Sequence, residues 1–334
     1  AARTATLLHA WGLDHVADRP SATLSHGMKQ RLSIAAMLAI DPRVLLLDEP
    51  TSFLDPPTAD RLFDLLTRRS RQEGTTVVVI DHDRTRLLPW SDRVIQLQVG
   101  ALTDDLPSAA ALPRLHRGSA GDRLLTARGL QLAFDDACVL NGIDLHLDAG
   151  EIVALTGPNG CGKTTLLRVL KGVQAPDAGC LRLRDNGAPM DQVGLVLQDP
   201  DEQIFAHTVE DECGFWLRNL RVPAADRRQR VATALARIGL DAHAHRLPMS
   251  LSYGEKRRLA LASVIVARPP VLCLDEPTVG LDFDNLRLLQ RELHDQAAAG
   301  AAVLLATHDL DFARATADRR LQLADGVLAE IDHD

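Results

Sequence analysis

The chain has 334 residues, 46% of them hydrophobic and 25% charged, with a formal net charge of −8. That length and balance fit a folded protein of up to two domains and exclude a disordered one, and the acidic surplus argues against a broad nucleic-acid interface. No run of about 18 apolar residues is present to span a bilayer, and Ala1-Ala2-Arg3-Thr4 lacks the apolar core of a signal peptide, so a cytoplasmic protein is expected, membrane-attached at most through a partner.

In chain order, Leu24-Ser25-His26-Gly27 comes first, followed by Val44 to Leu47, a short apolar run that ends in Asp48-Glu49. Val77 to Ile80 is a second such run, closed by Asp81-His82. Asp104 to Gly121 is rich in Pro, Ala and Ser without an apolar period and reads as a linker. Beyond it, Ile152 to Leu155, Val193 to Leu197, Val271 to Leu274 and Ala302 to Ala306 are continuous apolar segments, each followed by polar or glycine-rich residues. Strands of a parallel sheet buried on both faces have this pattern, and Val44 to Leu47 and Val77 to Ile80 share it. Helical patterns at Thr165 to Lys171 and Lys256 to Ala267 alternate with them, which predicts an α/β fold. The five cysteines, Cys138, Cys161, Cys180, Cys213 and Cys273, show no zinc or disulfide spacing.

The chain repeats itself. Residues 24–57 align with 251–284 at an offset of 227, without gaps and with 17 identities in 34 positions. A one-residue slip then carries His82 onto His308. With the second copy beginning near Arg123, this offset puts the start of the first about 105 residues ahead of Ala1. The expected domains are therefore the C-terminal part of one copy at 1–103, a linker at 104–122 and a complete copy at 123–334.

Chemistry concentrates in the second copy. Gly157-Pro158-Asn159-Gly160-Cys161-Gly162-Lys163-Thr164 fits G-x-x-x-x-G-K-[ST] between a buried strand and a helix. Its glycines let backbone N–H groups converge on phosphates, and the helix that continues through Thr165 adds its positive N-terminal end. Lys163 is expected on the β- and γ-phosphates of ATP, and the Thr164 hydroxyl on Mg2+. Asp275 and Glu276 end the Val271 strand as adjacent carboxylates that repel each other unless a cation lies nearby. Asp275 is expected to hold Mg2+, directly or through water, and Glu276 to orient the attacking water. Gln198 is placed to complete the Mg2+ and water contacts.

In this order the motifs resemble those of ATP-binding-cassette ATPases, over nearly the whole chain. The matching residues are the phosphate loop, Gln198, the signature Leu251-Ser252-Tyr253-Gly254-Glu255, Asp275-Glu276, Val279-Gly280-Leu281-Asp282 and His308. The resemblance implies a P-loop NTPase fold with a helical subdomain, present here as a tandem repeat with an incomplete first copy. It also implies that His308 is a switch histidine on the γ-phosphate. Phe134, 23 residues before Gly157, is placed like the family's adenine-stacking aromatic, and equally like a core phenylalanine. Cassettes of the family face each other head to tail, each ATP lying between the phosphate loop of one and the signature of the other. On that pattern Ser25 and Gly27 cap the Lys163 site, while Ser252 and Gly254 have no opposing phosphate loop in this chain. His26, Met28 and Phe53 depart from the family pattern, as an altered site or as tolerated surface packing.

Gln198-Asp199-Pro200-Asp201-Glu202-Gln203-Ile204-Phe205, followed by Thr208-Val209-Glu210-Asp211-Glu212, is similar to the stretch after the glutamine loop in ATPases of energy-coupling-factor transporters. Those import vitamins, or cobalt and nickel ions. The resemblance therefore implies a transport motor at the cytoplasmic face of the plasma membrane, with transmembrane coupling and substrate-binding subunits docked near Gln198 to Trp216. A missing half-cassette or a second ATPase chain would complete it. Specificity is expected in the membrane components. Two rivals stand beside this reading. One is a soluble twin-cassette ATPase acting on ribosomes, a class that Gly254-Glu255-Lys256-Arg257 and Ile80-Asp81-His82-Asp83-Arg84 also resemble but whose long charged linker Asp104 to Gly121 does not; the other is an inactive remnant.

Overall fold

The computed structural model describes residues 2–24, 26–51, 54, 56–81, 87–98, 101–103, 112–113, 121–134, 137–281 and 283–331. Ser25, Phe53, His82, Asp282 and most of the linker lie outside them. The chain divides into two compact units, Ala1–Ala111 and Leu112–Asp334.

The first unit holds α1 (Ala2–Ala10), α2 (His26–Ala39), β1 (Val44–Asp48), α3 (Pro56–Glu73), β2 (Thr76–Ile80) and the short hairpin β3 (Gln96–Gln98) and β4 (Ala101–Thr103). Prolines open α3, where a missing N–H costs nothing, and Ala59, Leu62, Phe63 and Leu66 recur at helical spacing to bury one face. They pack with Trp11, Leu13, Ile34, Leu38, Leu45 and Leu47 into one core.

The second unit begins with β5 (Arg123–Phe134), β6 (Ala137–Asp148), β7 (Ile152–Thr156), α4 (Lys163–Lys171) and β8 (Ala178–Leu183). There follow α5 (Pro189–Gln192), β9 (Val193–Val196), α6 (Pro200–Gln203), α7 (Val209–Asn219), α8 (Ala224–Arg237) and α9 (Tyr253–Ile265). Last come β10 (Val271–Asp275), α10 (Phe283–Ala298), β11 (Ala302–Ala306), α11 (Leu310–Thr316), β12 (Arg319–Ala324) and β13 (Val327–Ile331). Six strands form a sheet in the order β13-β12-β7-β11-β10-β9, parallel except for the edge strand β13. β6, β5 and β8 form a separate antiparallel sheet.

Every residue of β7, β10 and β11 is buried, as their unbroken apolar runs require. One face of the large sheet, through Val153, Cys273 and Leu304, packs on Leu125, Leu140, Leu166 and Leu170 of the small sheet and α4. The other, through Ile152, Leu272 and Val303, packs on Leu289, Leu293 and Phe312 of α10 and α11. α7, α8 and α9 share a third core around Cys213, Leu217, Val231, Leu235 and Leu259. Of the expected linker, Leu112 packs against the second of these cores and the Pro113 carbonyl accepts from Gln290 Nε2 at 3.0 Å, so this stretch is tied to the second unit.

The repeat survives in three dimensions. β1 pairs with β2 from Val44↔Thr76 to Asp48↔Ile80, and β10 with β11 from Val271↔Ala302 to Asp275↔Ala306, which is the same register in both units. Left-handed backbone recurs at matching places: Asp41 (φ 55°) with Arg268 (φ 54°), and Glu49 (φ 43°) with Glu276 (φ 45°).

One expectation fails. β1 and β2 are not buried on both faces: Val44, Leu46, Val78 and Ile80 are 45–67% exposed, while their counterparts Val271, Cys273, Leu304 and Ala306 are fully buried. The sequences of the paired strands are alike, and the difference is the cover. In the second unit that face lies under α4 and the small sheet, and among the described residues of the first unit nothing equivalent packs there. No helix among the described residues is long and apolar enough to cross a membrane.

Candidate functional site

The site lies at the C-terminal ends of β7, β9, β10 and β11, where open parallel sheets place ligands. The loop from β7 to α4 depends on two glycines. A Cβ on Gly157 (φ 148°) would run into the Leu323 carbonyl, and one on Gly162 (φ 105°) would sit 2.8 Å from Val139 Cγ1. Gly162 contributes no capping side chain to α4, so the helix N-terminus is open to an anion. Lys163 is buried and arches back over the loop, its Nζ donating to the carbonyls of Gly157 at 2.8 Å and Pro158 at 3.2 Å. Glu276 Oε1 lies 3.7 Å from the same ammonium.

Asp275 ends β10. Its Oδ2 accepts from the Thr164 hydroxyl at 2.7 Å, while its buried Oδ1 has no protein partner. Burial raises the Asp275 carboxyl above the usual range; the Thr164 hydrogen bond offsets part of this and the Glu276 charge adds to it. An orphaned carboxylate oxygen beside a threonine hydroxyl fits a hard divalent cation, which would satisfy the oxygen and relieve the repulsion. Among the described residues no cluster of three or more His, Cys, Asp or Glu side chains is arranged to hold a metal alone. A cation here would thus rely on this mixed set and on oxygens from a ligand.

Glu276 follows in left-handed backbone, a costly conformation for a residue with a side chain. Its N–H donates to the Ala306 carbonyl at 2.8 Å, and its Oε2 accepts from the His308 N–H at 3.1 Å and from His308 Nδ1 at 2.8 Å. Burial pushes the Glu276 carboxyl up, but the hydrogen bond and charge of His308, with Lys163, outweigh it and hold the group below its ordinary value. Burial likewise opposes charging of His308, and Glu276 wins again, raising the imidazole pKa above its ordinary value.

The His308 contribution to stability is fully present below its unfolded pKa of about 6.5 and is lost as pH rises through the raised folded value. Glu276 contributes above its unfolded pKa and loses that contribution as pH falls through the depressed folded one. In urea titrations without added nucleotide, His308→Gln is expected to destabilise most near about pH 6 and progressively less at alkaline pH. A pH-independent difference would show that the pair is not ionised.

Ser252 caps α9. Its hydroxyl and backbone N–H both donate to Glu255 Oε2 at 2.8 Å, and the Glu255 N–H returns a bond to Ser252 Oγ. Gly254 sits in the first turn and Tyr253 is exposed. Phe134 ends β5 at 47% exposure, which excludes the core alternative. The structure thus brings together the phosphate loop with Lys163, Thr164 and Thr165, Asp275, Glu276 and His308. Gln198 joins them through its carbonyl, tied to Arg257 of α9 at 2.9 Å. Trp216 is partly buried against the second core with Lys171 Nζ 4.6 Å above its ring, whereas Phe205 and Phe215 are exposed and meet edge to face at 4.6 Å.

Three residues escaped sequence reasoning. Gln203 accepts from the Leu197 N–H and donates to the Ala260 carbonyl and Ser263 Oγ; buried Glu212 accepts from the N–H groups of Phe205 and Ala206; Arg257 spans two loops. The first two stand inside the segment already singled out after Gln198, which was the available signal. In the first unit Asp48 and Glu49 end β1 as Asp275 and Glu276 end β10, and Thr51 Oγ1 donates to Asp81 Oδ2 at 2.6 Å.

Comparison with known proteins follows the same lines. The ABC transporter family matches residues 1–52 and 140–279. The chain is 31% identical to a putative ABC transporter ATP-binding protein of Methanosarcina mazei, over 95% of this chain and 68% of that protein. It is 32% identical to a putative ABC transporter ATP-binding protein of Streptomyces coelicolor, over 97% of this chain and 71% of that one. A putative HMP/thiamine import ATP-binding protein of Bacillus subtilis is 30% identical over 95% of this chain and 67% of its own length. The chain spans about two thirds of the length of these relatives. Among solved structures, an ATP-binding subunit of an ABC transporter aligns with TM-score 0.58 and 25% identity, over 62% of this chain and 89% of its own. A second, cbiO1 from Clostridium perfringens, part of the ABC transporter complex cbiONQ, aligns with TM-score 0.54 and 32% identity, over 62% and 87%.

Proposed function

The chain belongs to the ABC transporter family of ATP-binding proteins, whose members are ATPases, and from that premise we propose that it is the motor of an importer of the energy-coupling-factor type, moving a vitamin or a metal ion through membrane partners. The observation that carries the catalytic part is the convergence of Lys163, Thr164, Asp275, Glu276 and His308 at one sheet end, with Asp275 Oδ1 left for a cation. ATP would lie with its phosphates in the loop Gly157 to Thr164 and its adenine on exposed Phe134. Lys163 would turn from the carbonyls of Gly157 and Pro158 to the β- and γ-phosphates. Glu276, kept ionised by His308 and Lys163, would orient the attacking water and take its proton, and His308 would hold the γ-phosphate. Thr164, Asp275 and Gln198 would hold Mg2+, whose charge neutralises phosphate oxygens when bound.

In the same reading residues 1–103 are the C-terminal part of a first cassette and residues 123–334 a complete second one. Ser25 and Gly27 are the signature of the first, Ser252 and Gly254 of the second. The second signature is a helix N-terminus suited to γ-phosphate charge. The matched register of β1–β2 and β10–β11 supports the tandem arrangement.

The importer type rests on the segment after Gln198 and on the names of two similar proteins, one assigned to HMP/thiamine import and one to the cbiONQ complex. The exposed pair of Phe205, on the loop held by Gln203 and Glu212, and Phe215, on α7, suits a membrane partner at the cytoplasmic face. Affinity purification of the tagged chain from detergent-solubilised membranes is expected to retain an integral membrane protein. Phe205→Glu should release it while ATP affinity stays within about twofold, since a rim charge in an apolar contact opposes docking alone. Sedimentation with ribosomes instead would sink the proposal. The relatives named above are transport proteins, and no observation favours the ribosomal alternative.

A further inference from the structure

Arg257 is 9% exposed, and its guanidinium reaches three main-chain carbonyls on two separate loops. Nη1 donates to Pro277 O at 2.7 Å; Nη2 donates to Gln198 O at 2.9 Å and to Glu276 O at 3.2 Å. Nε is buried without a partner. On its outer side the guanidinium lies 5.5 Å from the ring of Tyr253, one helical turn earlier in the signature. Burying a guanidinium among carbonyls, with one nitrogen unsatisfied and no carboxylate partner among the described residues, is an expensive way to fill space. An apolar side chain of similar volume does that at less cost. What the planar fork supplies is a fixed spacing between the groups it joins.

Its neighbours bind the same loop to the same helix. Lys256 Nζ pairs with Asp201 at 2.7 Å, and Gln203 ties Leu197 to Ala260 and Ser263. Among these contacts only Arg257 also grips the end of β10. At the corresponding position of the first unit stands Gln30, with a single 3.3 Å bond to Glu49 O.

We propose that Arg257 is a positioning residue for hydrolysis, fixing the peptide of Gln198 against those of Glu276 and Pro277 and joining that alignment to the signature tip through the Tyr253 ring. The proposal rests on the roles given above to Glu276 and Gln198. A water shared between two groups on different loops is only as well aligned as the loops themselves, and a misplacement of about 1 Å costs up to about 10²-fold in rate.

The test compares single-turnover ATP hydrolysis, equilibrium binding of a fluorescent ATP analogue and the urea midpoint in five forms of the chain: wild type, Arg257→Gln, Glu276→Gln, the double variant and Tyr253→Ala. Arg257→Gln is expected to slow turnover about 10- to 100-fold with affinity within about threefold. In the Glu276→Gln background it should add less than about threefold, because two residues acting on one alignment are not additive. Tyr253→Ala should slow turnover about two- to fivefold, the worth of an exposed cation–π contact. Wild-type turnover in Arg257→Gln overturns the proposal. So does a loss that tracks affinity and urea midpoint together, or one undiminished beside Glu276→Gln. If Arg257→Gln does not fold, Arg257→Lys decides by the same split: its single ammonium reaches fewer carbonyls and should give an intermediate rate at unchanged affinity. Glu276→Gln turning over like wild type refutes the base assignment instead, and Arg257 is then judged by the rate-to-affinity split of its own variant.

Discussion

Lys163→Ala is expected to abolish tight ATP binding. The ammonium is buried, and its three oxygen neighbours are the carbonyls of Gly157 and Pro158 and, farther off, Glu276. Phosphate oxygens offer a partner of full charge in place of two dipoles, so Lys163 has a strong reason to transfer to them. Removing one member of such a desolvated charge pair costs about 2–5 kcal/mol, a rise in Kd of roughly 30-fold to several thousand-fold. The chain contains no second G-x-x-x-x-G-K-[ST] sequence to compensate. Fluorescent ATP-analogue titration measures the loss, and a urea midpoint close to wild type would show that it is not unfolding. Wild-type affinity in Lys163→Ala would contradict a single phosphate loop.

Glu276→Gln is expected to leave binding nearly intact and to slow hydrolysis by roughly 10²- to 10⁴-fold, the usual worth of a positioned base. The amide keeps the size of the carboxylate, and its oxygen still accepts from His308, but it takes no proton. Glu49→Gln is the internal control. Glu49 has the same backbone, φ 43° against 45°, and the same bond to the neighbouring strand, to Ile80 O at 2.7 Å. What it lacks in this chain is a phosphate loop of its own repeat, so its substitution should change single-turnover rates by less than about twofold. Equal losses in the two variants would mean that the carboxylates do not divide the work in this way.

Much of this was legible in the sequence because the chemistry sits in contiguous motifs. A phosphate loop between an apolar run and a helix, and a carboxylate pair at the end of a buried strand, announce themselves within a few residues. Strand and helix positions followed for the same reason, since Ile152 to Leu155 and Ala302 to Ala306 leave no polar face for solvent. Burial of β1 was misjudged because Val-Leu-Leu-Leu at 44–47 reads like Val-Leu-Cys-Leu at 271–274, whereas cover on a sheet face comes from elements far away in the chain. Arg257 was missed on similar grounds. Its meaning lies in bonds to residues 59 and 19 positions away, which the run Gly254-Glu255-Lys256-Arg257 does not announce. The left-handed backbone of Glu276 has no sequence signal either: it falls just past the end of β10, with the N–H still on the Ala306 carbonyl of β11.

The bare side of the first unit bears on how the protein behaves as a material. Among the described residues β1 and β2 pair only with each other, so both flanks of this two-stranded ribbon carry backbone N–H and C=O groups without a ladder partner. Val44, Leu46, Val78 and Ile80 stand on one surface of it. An open, apolar ribbon is a template for adding a further strand, and like ribbons on other molecules supply one. Charges introduced at positions 46 and 78 are expected to reduce self-association of this stretch through that face, with light scattering as the measurement.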